Sequence, residues 1–184
     1  MNKKTKILLK KTSGKTIGLF IDNANWFYPQ KELRWRISFT KLKQFLLRNY
    51  RLSLLKIYAG TPLDYKNQRS FAKFVKVVQK EGYIIETKPL KKIWINKNKK
   101  IFEYKCNFDV EIALDVARNI KDLDLVIIGS GDSDFVPVRQ FTKEYKKNFI
   151  VLCFEKGVAW EIRKGYHIFL EQIRNFIEMP TKKP

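Results

Sequence analysis

The sequence predicts an α/β fold, a doubly wound, mainly parallel sheet of about five strands with helices on both faces. Short runs rich in β-branched and aromatic residues alternate with longer amphipathic segments, and runs such as Leu125-Val126-Ile127-Ile128 have the length and composition of buried strands. A chain of 184 residues with 45% apolar content suits one domain with a real core.

Strands are expected near 16–21, 53–59, 82–87, 124–129 and 148–153. Helices are expected near 39–49, 65–81, 108–119, 135–146 and 170–177, with a short one near 157–163. The helix from Tyr65 places Phe71, Phe74, Val75 and Val78 on one stripe, and Gly82 is its natural terminator. One domain therefore spans 16–178, with a basic hairpin inserted at about 88–105 and a tail at 179–184. Residues 1–15 carry six lysines and no acid, and read as a flexible basic arm adding sequence-independent affinity.

Lys plus Arg is 38 against 18 for Asp plus Glu, a formal net charge of +20, which points to a polyanionic partner. The sequence contains no apolar stretch long enough to span a bilayer, no secretory signal and no amphipathic anchor, so nucleic acid rather than a membrane is expected. Cys106 and Cys153 are too few and too far apart for a zinc site or a disulfide framework, and a reduced, cytoplasmic setting is expected. Cys153 reads as a core residue, and His167, the only histidine, as a packing residue.

Against this basic background three acidic points stand out. Asp22 follows the strand Ile17-Gly18-Leu19-Phe20-Ile21 and opens Asp22-Asn23-Ala24-Asn25; Asp132 and Asp134 follow Leu125–Ile128 in Gly129-Ser130-Gly131-Asp132-Ser133-Asp134; Asp109 opens a helix that also carries Glu111 and Asp115. In an open α/β sheet, ligands bind beyond the carboxyl ends of the strands where strand order reverses, and these acids fall there. Asp115 lies six residues beyond Asp109, about 240° around the helix, so Asp109 is preferred for the site and Glu111 and Asp115 are assigned supporting roles. Taken singly, Asp22 reads as a turn or helix-capping residue and the Asp132/Asp134 pair as a helix cap. Convergence on one sheet edge favours a shared site. Crowded carboxylates need a compensating cation, and hard oxygen donors without histidine or cysteine suit Mg²⁺ or Mn²⁺. Asn25 could hold a carboxylate or an attacking water, and Ser130 could offer a hydroxyl. Gly129-Ser-Gly131 lacks the third glycine of a dinucleotide fingerprint, and the first strand carries no glycine-rich turn.

Phe20-Ile21-Asp22-Asn23-Ala24-Asn25, Lys105-Cys106-Asn107-Phe108-Asp109 through Asp115, and Ser130-Gly131-Asp132-Ser133-Asp134-Phe135 together resemble the three signature segments of NYN domains, which are PIN-like ribonuclease-type domains. The resemblance covers about residues 16–170. It implies a PIN-like fold, a divalent metal held by Asp22, Asp109, Asp132 and Asp134, with Asn25 and Ser130 as polar neighbours, and endonucleolytic RNA cleavage leaving 5′-phosphate and 3′-hydroxyl ends. Two departures are visible: Cys106 stands where similar segments often carry glycine, and the stretch after Trp160 lacks an aspartate near the last strand.

Between Lys88 and Lys105 the chain carries seven lysines around Ile93-Trp94-Ile95 and Ile101-Phe102, and reads as a basic, aromatic β-hairpin. Alternation puts Ile93 and Ile95 on one face and Trp94 on the other. Lys91, Lys92, Trp94, Lys97, Lys99, Lys100 and Lys105 are its candidate nucleic-acid contacts, rings for unpaired bases and ammoniums for phosphates. The alternative is a hairpin that packs its rings on the domain.

The functional reading is an Mg²⁺- or Mn²⁺-dependent endoribonuclease acting on single-stranded RNA with a metal-activated water. The runner-up is a catalytically silent RNA-binding module working through partner proteins. A phosphatase or nucleotide hydrolase would have no need of +20. A homodimer or a regulatory protein partner is compatible with this reading.

Overall fold

The computed structural model describes residues 1–96 and 99–180. Its strands are β1 (Thr16–Asp22), β2 (Arg51–Thr61), β3 (Ile84–Pro89), β4 (Lys91–Asn96), β5 (Ile101–Lys105), β6 (Leu125–Gly129), β7 (Asn148–Cys153) and β8 (His167–Phe169). Its helices are α1 (Lys3–Thr12), α2 (Asn23–Glu32), α3 (Phe39–Leu47), α4 (Tyr65–Lys80), α5 (Asp109–Asn119), α6 (Val136–Glu144), α7 (Trp160–Arg163) and α8 (Arg174–Ile177).

Six strands form one parallel sheet in the order β3-β2-β1-β6-β7-β8, and β4 and β5 pair antiparallel as a separate ribbon. The sheet has one strand more than expected: β8 is three residues long, too short for its apolar run to separate from the helical turns after it. Alternation along the central strands feeds two cores. Leu19, Ile21 and Ile127 join Trp26, Leu42 and Phe45 on one face, whereas Phe20, Val126 and Ile128 meet Ile112, Val116 and Phe135 on the other. Helices therefore cover both faces of the sheet. Each large side chain fully buried this way contributes roughly 1.5–3 kcal/mol relative to exposure.

Residues 1–15 depart from the flexible arm expected of them. Asn2 caps α1 by accepting from the Thr5 amide at 2.8 Å, and Thr5, Leu8, Leu9 and Thr12 are buried. That spacing is one helical stripe, and the lysines between its members hide it in the sequence. Helix α2 was not expected either, because Trp26 is its one buried residue and no apolar periodicity marks it. Trp26 points inward and donates from Nε1 to the Leu152 carbonyl at 3.2 Å. His167 packs against Phe169 with the rings tilted and their centroids 4.7 Å apart, and burial pushes the Cys153 thiol up to about 12. Among the described residues no helix is long and apolar enough to cross a membrane.

Candidate active site

From β1 the chain runs outward through β2 to β3, then returns to the opposite side of β1 as β6. Strand order therefore reverses between β1 and β6, where the carboxyl ends of two parallel strands leave an open crevice. Ile21 pairs with Gly129, so Asp22 and Ser130 leave neighbouring strands together. Gly129 is required at this point: a Cβ there would lie 2.9 Å from Trp26 Cζ2 and 3.1 Å from Ile21 Cα.

Asp22 caps α2, accepting from the Ala24 amide at 3.0 Å through Oδ1 and from Asn25 Nδ2 at 2.8 Å through Oδ2. Asn25 also accepts the Gly131 N–H at 3.4 Å, so one amide side chain ties the end of β1 to the loop after β6. In that loop Asp132 accepts from the Asp134 amide at 3.1 Å, and Asp109 is reached through Asn107, whose Oδ1 accepts the Asp109 amide at 2.7 Å. Asp132 and Asp109 are half-buried and Asp134 is exposed. Ser130 differs from its expected role: it is fully buried, and its hydroxyl accepts the Asp132 amide at 3.2 Å. In that position it shapes the loop that carries Asp132.

The acids act on one another. Burial raises the Asp22 carboxyl above the ordinary carboxylate range; the bonds from Asn25 and Ala24 partly offset this, and the charge of Asp109 adds to it. Asp109 is likewise raised by burial, partly relieved by Asn107, and raised further by Asp132, Asp134 and Glu111. The charge of Asp109 is thus felt at the end of β1, and those of Asp132 and Asp134 at the start of α5. Among the described residues no three Asp, Glu, His or Cys side chains are gathered into a ready-made metal cage. The donor set still fits a hard cation, because Mg²⁺ binds through one or two carboxylates, retained waters and substrate phosphate.

Asp115 and Glu111 stand outside the cluster. Asp115 is buried against the sheet, accepting from Lys56, from the Tyr58 hydroxyl at 2.7 Å and from Arg118 at 3.3 Å. Burial alone would raise its carboxyl, but Lys56 and Tyr58 outweigh it and hold it below the ordinary range. Tyr58 pairs with Asp22 across β1 and β2, so Asp115 fixes α5 to the strand beside the site. Glu111 pairs with Lys88, which lowers its carboxyl. Sequence reasoning did not single out Lys88. Its ammonium also reaches the Asn107 carbonyl at 3.4 Å and lies 5.0 Å from the Phe108 ring centroid, clamping the start of α5.

The NYN domain model matches residues 16–171, from the first strand through β8 and past every acid described above. The chain belongs to the NYN domain family. The low amplitude and bright protein LabA of Synechococcus elongatus is 28% identical over 171 residues, covering 91% of this chain and 90% of that one. The crystal structure of a protein of unknown function from Vibrio parahaemolyticus has the same fold, with a TM-score of 0.68 at 22% identity over 90% of this chain and 97% of the other. NYN domains are ribonuclease-like, which agrees with acids at a switch point in a chain of net charge +20.

In this NYN domain the basic ribbon rises from the same edge. β3 ends at Pro89, the Leu90 amide donates to the Thr61 carbonyl at 3.0 Å, and β5 returns at Lys105, four residues before Asp109. Gly60 makes room for the crossing, since a Cβ there would lie 2.3 Å from Leu90 Cδ2 and 3.2 Å from the Cys106 Cβ. Lys91, Lys92, Trp94, Lys99, Lys100 and Lys105 are all exposed, and Lys105 pairs with Glu103 at 3.3 Å. Lys97 lies outside the described residues.

Proposed function

We propose that this NYN domain is a divalent-metal-dependent endoribonuclease whose centre is Asp22, Asp109, Asp132 and Asp134. The observation that carries the reading is the placement of the acids at the β1–β6 crevice of a basic chain, where burial and neighbouring negative charge raise the Asp22 and Asp109 carboxyls and a cation would relieve them. A divalent cation bound there would supply charge neutralisation of the scissile phosphate and acidification of the attacking water.

The chain's own residues do the rest. Asn25 fixes the orientation of Asp22 through Oδ2 and holds the Asp132 loop through Gly131. Ser130 sets the direction of Asp132 by accepting its amide. Asp109, half-buried at the start of α5, accepts the proton of the attacking water on a carboxylate oxygen. Lys88, anchored by Glu111, holds the first turn of α5 so that Asp109 faces the crevice.

The test is incubation of end-labelled single-stranded RNA with the protein in Mg²⁺, Mn²⁺ or EDTA, with chemistry of the new ends read by polyadenylation. Metal-dependent internal cuts with extendable 3′-hydroxyls support the reading. Tight binding without cutting in any metal replaces it with a silent RNA-binding module.

A further inference from the structure

We propose that the β4–β5 ribbon is a stacking platform for unpaired RNA bases, delivering a single strand to the acidic edge; this rests on the ribonuclease reading for its substrate class. The ribbon forms a sheet of its own, and every described residue of both strands is exposed. Pairing of Lys92 with Tyr104 and of Trp94 with Phe102 puts these four side chains on one face. Trp94 and Phe102 meet edge to face with centroids 5.5 Å apart, and Phe102 meets Tyr104 in the same way at 5.4 Å. Lys92 lies over both, 4.3 Å from the Trp94 centroid and 4.0 Å from that of Phe102.

A free two-stranded hairpin is marginal in water, and the ring contacts add to the antiparallel backbone pairing of β4 with β5. It does not hide the rings: Trp94, Phe102 and Tyr104 remain 42%, 41% and 40% exposed. The alternative, a hairpin that packs its rings on the domain, is therefore not what forms.

Charge complementarity names the occupant. Lys91, Lys92, Lys99, Lys100 and Lys105 surround the rings, and Glu103 is the one acid among the ribbon's described residues. Rings interleaved with ammoniums match a strand that offers a base and a phosphate at each step, and a duplex, whose bases are already stacked, would gain only the charge. The root fixes the direction of delivery, since Lys105 leads into Asp109 through Cys106, Asn107 and Phe108. A six-residue strand reaches roughly 20 Å, so the platform engages nucleotides beyond the one being cut.

The experiment measures affinity of the full chain in EDTA for three probes of equal length: a single-stranded RNA, the same backbone with abasic residues, and an RNA duplex. The Trp94→Ala/Phe102→Ala variant should lose at least about tenfold on the base-bearing strand and little on the other two. Trp94→Tyr/Phe102→Tyr should restore binding, and Lys99→Ala/Lys100→Ala should weaken all three probes alike and flatten the salt dependence. Equal losses on all probes with the alanine pair, or none, would overturn the proposal. So would a change in sedimentation coefficient of the RNA-free protein, which would mark the ribbon as a self-association surface. Base-dependent binding in a chain that cuts nothing would keep the platform and remove the nuclease, whereas cutting with no aromatic dependence would do the reverse.

Discussion

Asn25 Nδ2 donates to Asp22 Oδ2 at 2.8 Å, and the same side chain's Oδ1 accepts the Gly131 amide at 3.4 Å. Two acid-bearing segments that are more than a hundred residues apart in sequence are joined through one neutral amide. Asn25→Ala should lower cleavage by about 10–100-fold, the usual cost of losing a partner that orients a ligand. RNA affinity should barely change. The check is single-turnover cleavage beside binding in EDTA; equal losses in both would show that Asn25 serves the fold alone.

Gly129→Ala should move the site without touching an acid. Its Cβ would meet Trp26, which is fully buried and cannot yield, and the Ile21 backbone. Overpacking of this kind costs about 1–3 kcal/mol, to be read from denaturant unfolding, and cleavage should fall further than stability alone explains.

Stability should respond to pH and metal together. Asp22 and Asp109 titrate in the folded chain above their ordinary value of 3.8, so between the two values the folded state binds more protons than the unfolded chain. Stability attributable to these groups therefore falls as pH rises through that window, and the deficit persists at neutral pH. Adding Mn²⁺ at pH 7 should raise the melting temperature over that in EDTA, and Asp22→Asn should raise the EDTA value while shrinking the response. A melting temperature indifferent to metal in the parent chain would refute the cation site.

Asp115 should behave in the opposite sense. Its carboxyl is held below 3.8 in the folded chain, so its contribution is present above that value and is lost as pH falls through the folded value. Asp115→Ala leaves Lys56 with Glu86 alone, at 2.7 Å, and strips the buried Tyr58 hydroxyl of its acceptor. The expected cost is about 3 kcal/mol at neutral pH, vanishing in acid, measured by unfolding across pH.

The parallel sheet could be read from the chain because strands such as Leu125–Gly129 are buried on both faces and leave an unbroken apolar run. Helix α2 could not, since Trp26 alone is buried and an amphipathic stripe needs several members. Among site residues, Asp22 and Asp109 announce themselves by their place at a strand end and a helix start. The inward turn of Ser130 and the Lys88–Glu111 pair depend on contacts across the sheet edge that no local pattern encodes. Lys88 belonged in sequence to a lysine-rich hairpin and in space to the clamp on α5.

RNA cleavage by the four carboxylates is tested by cutting labelled single-stranded RNA with the parent chain and with Asp132→Asn, in Mn²⁺, at matched salt and matched occupancy of the RNA. Metal-dependent cutting by the parent should fall to background in the variant, with binding retained or tightened by the loss of a negative charge. Cutting by Asp132→Asn at the parental rate would contradict it.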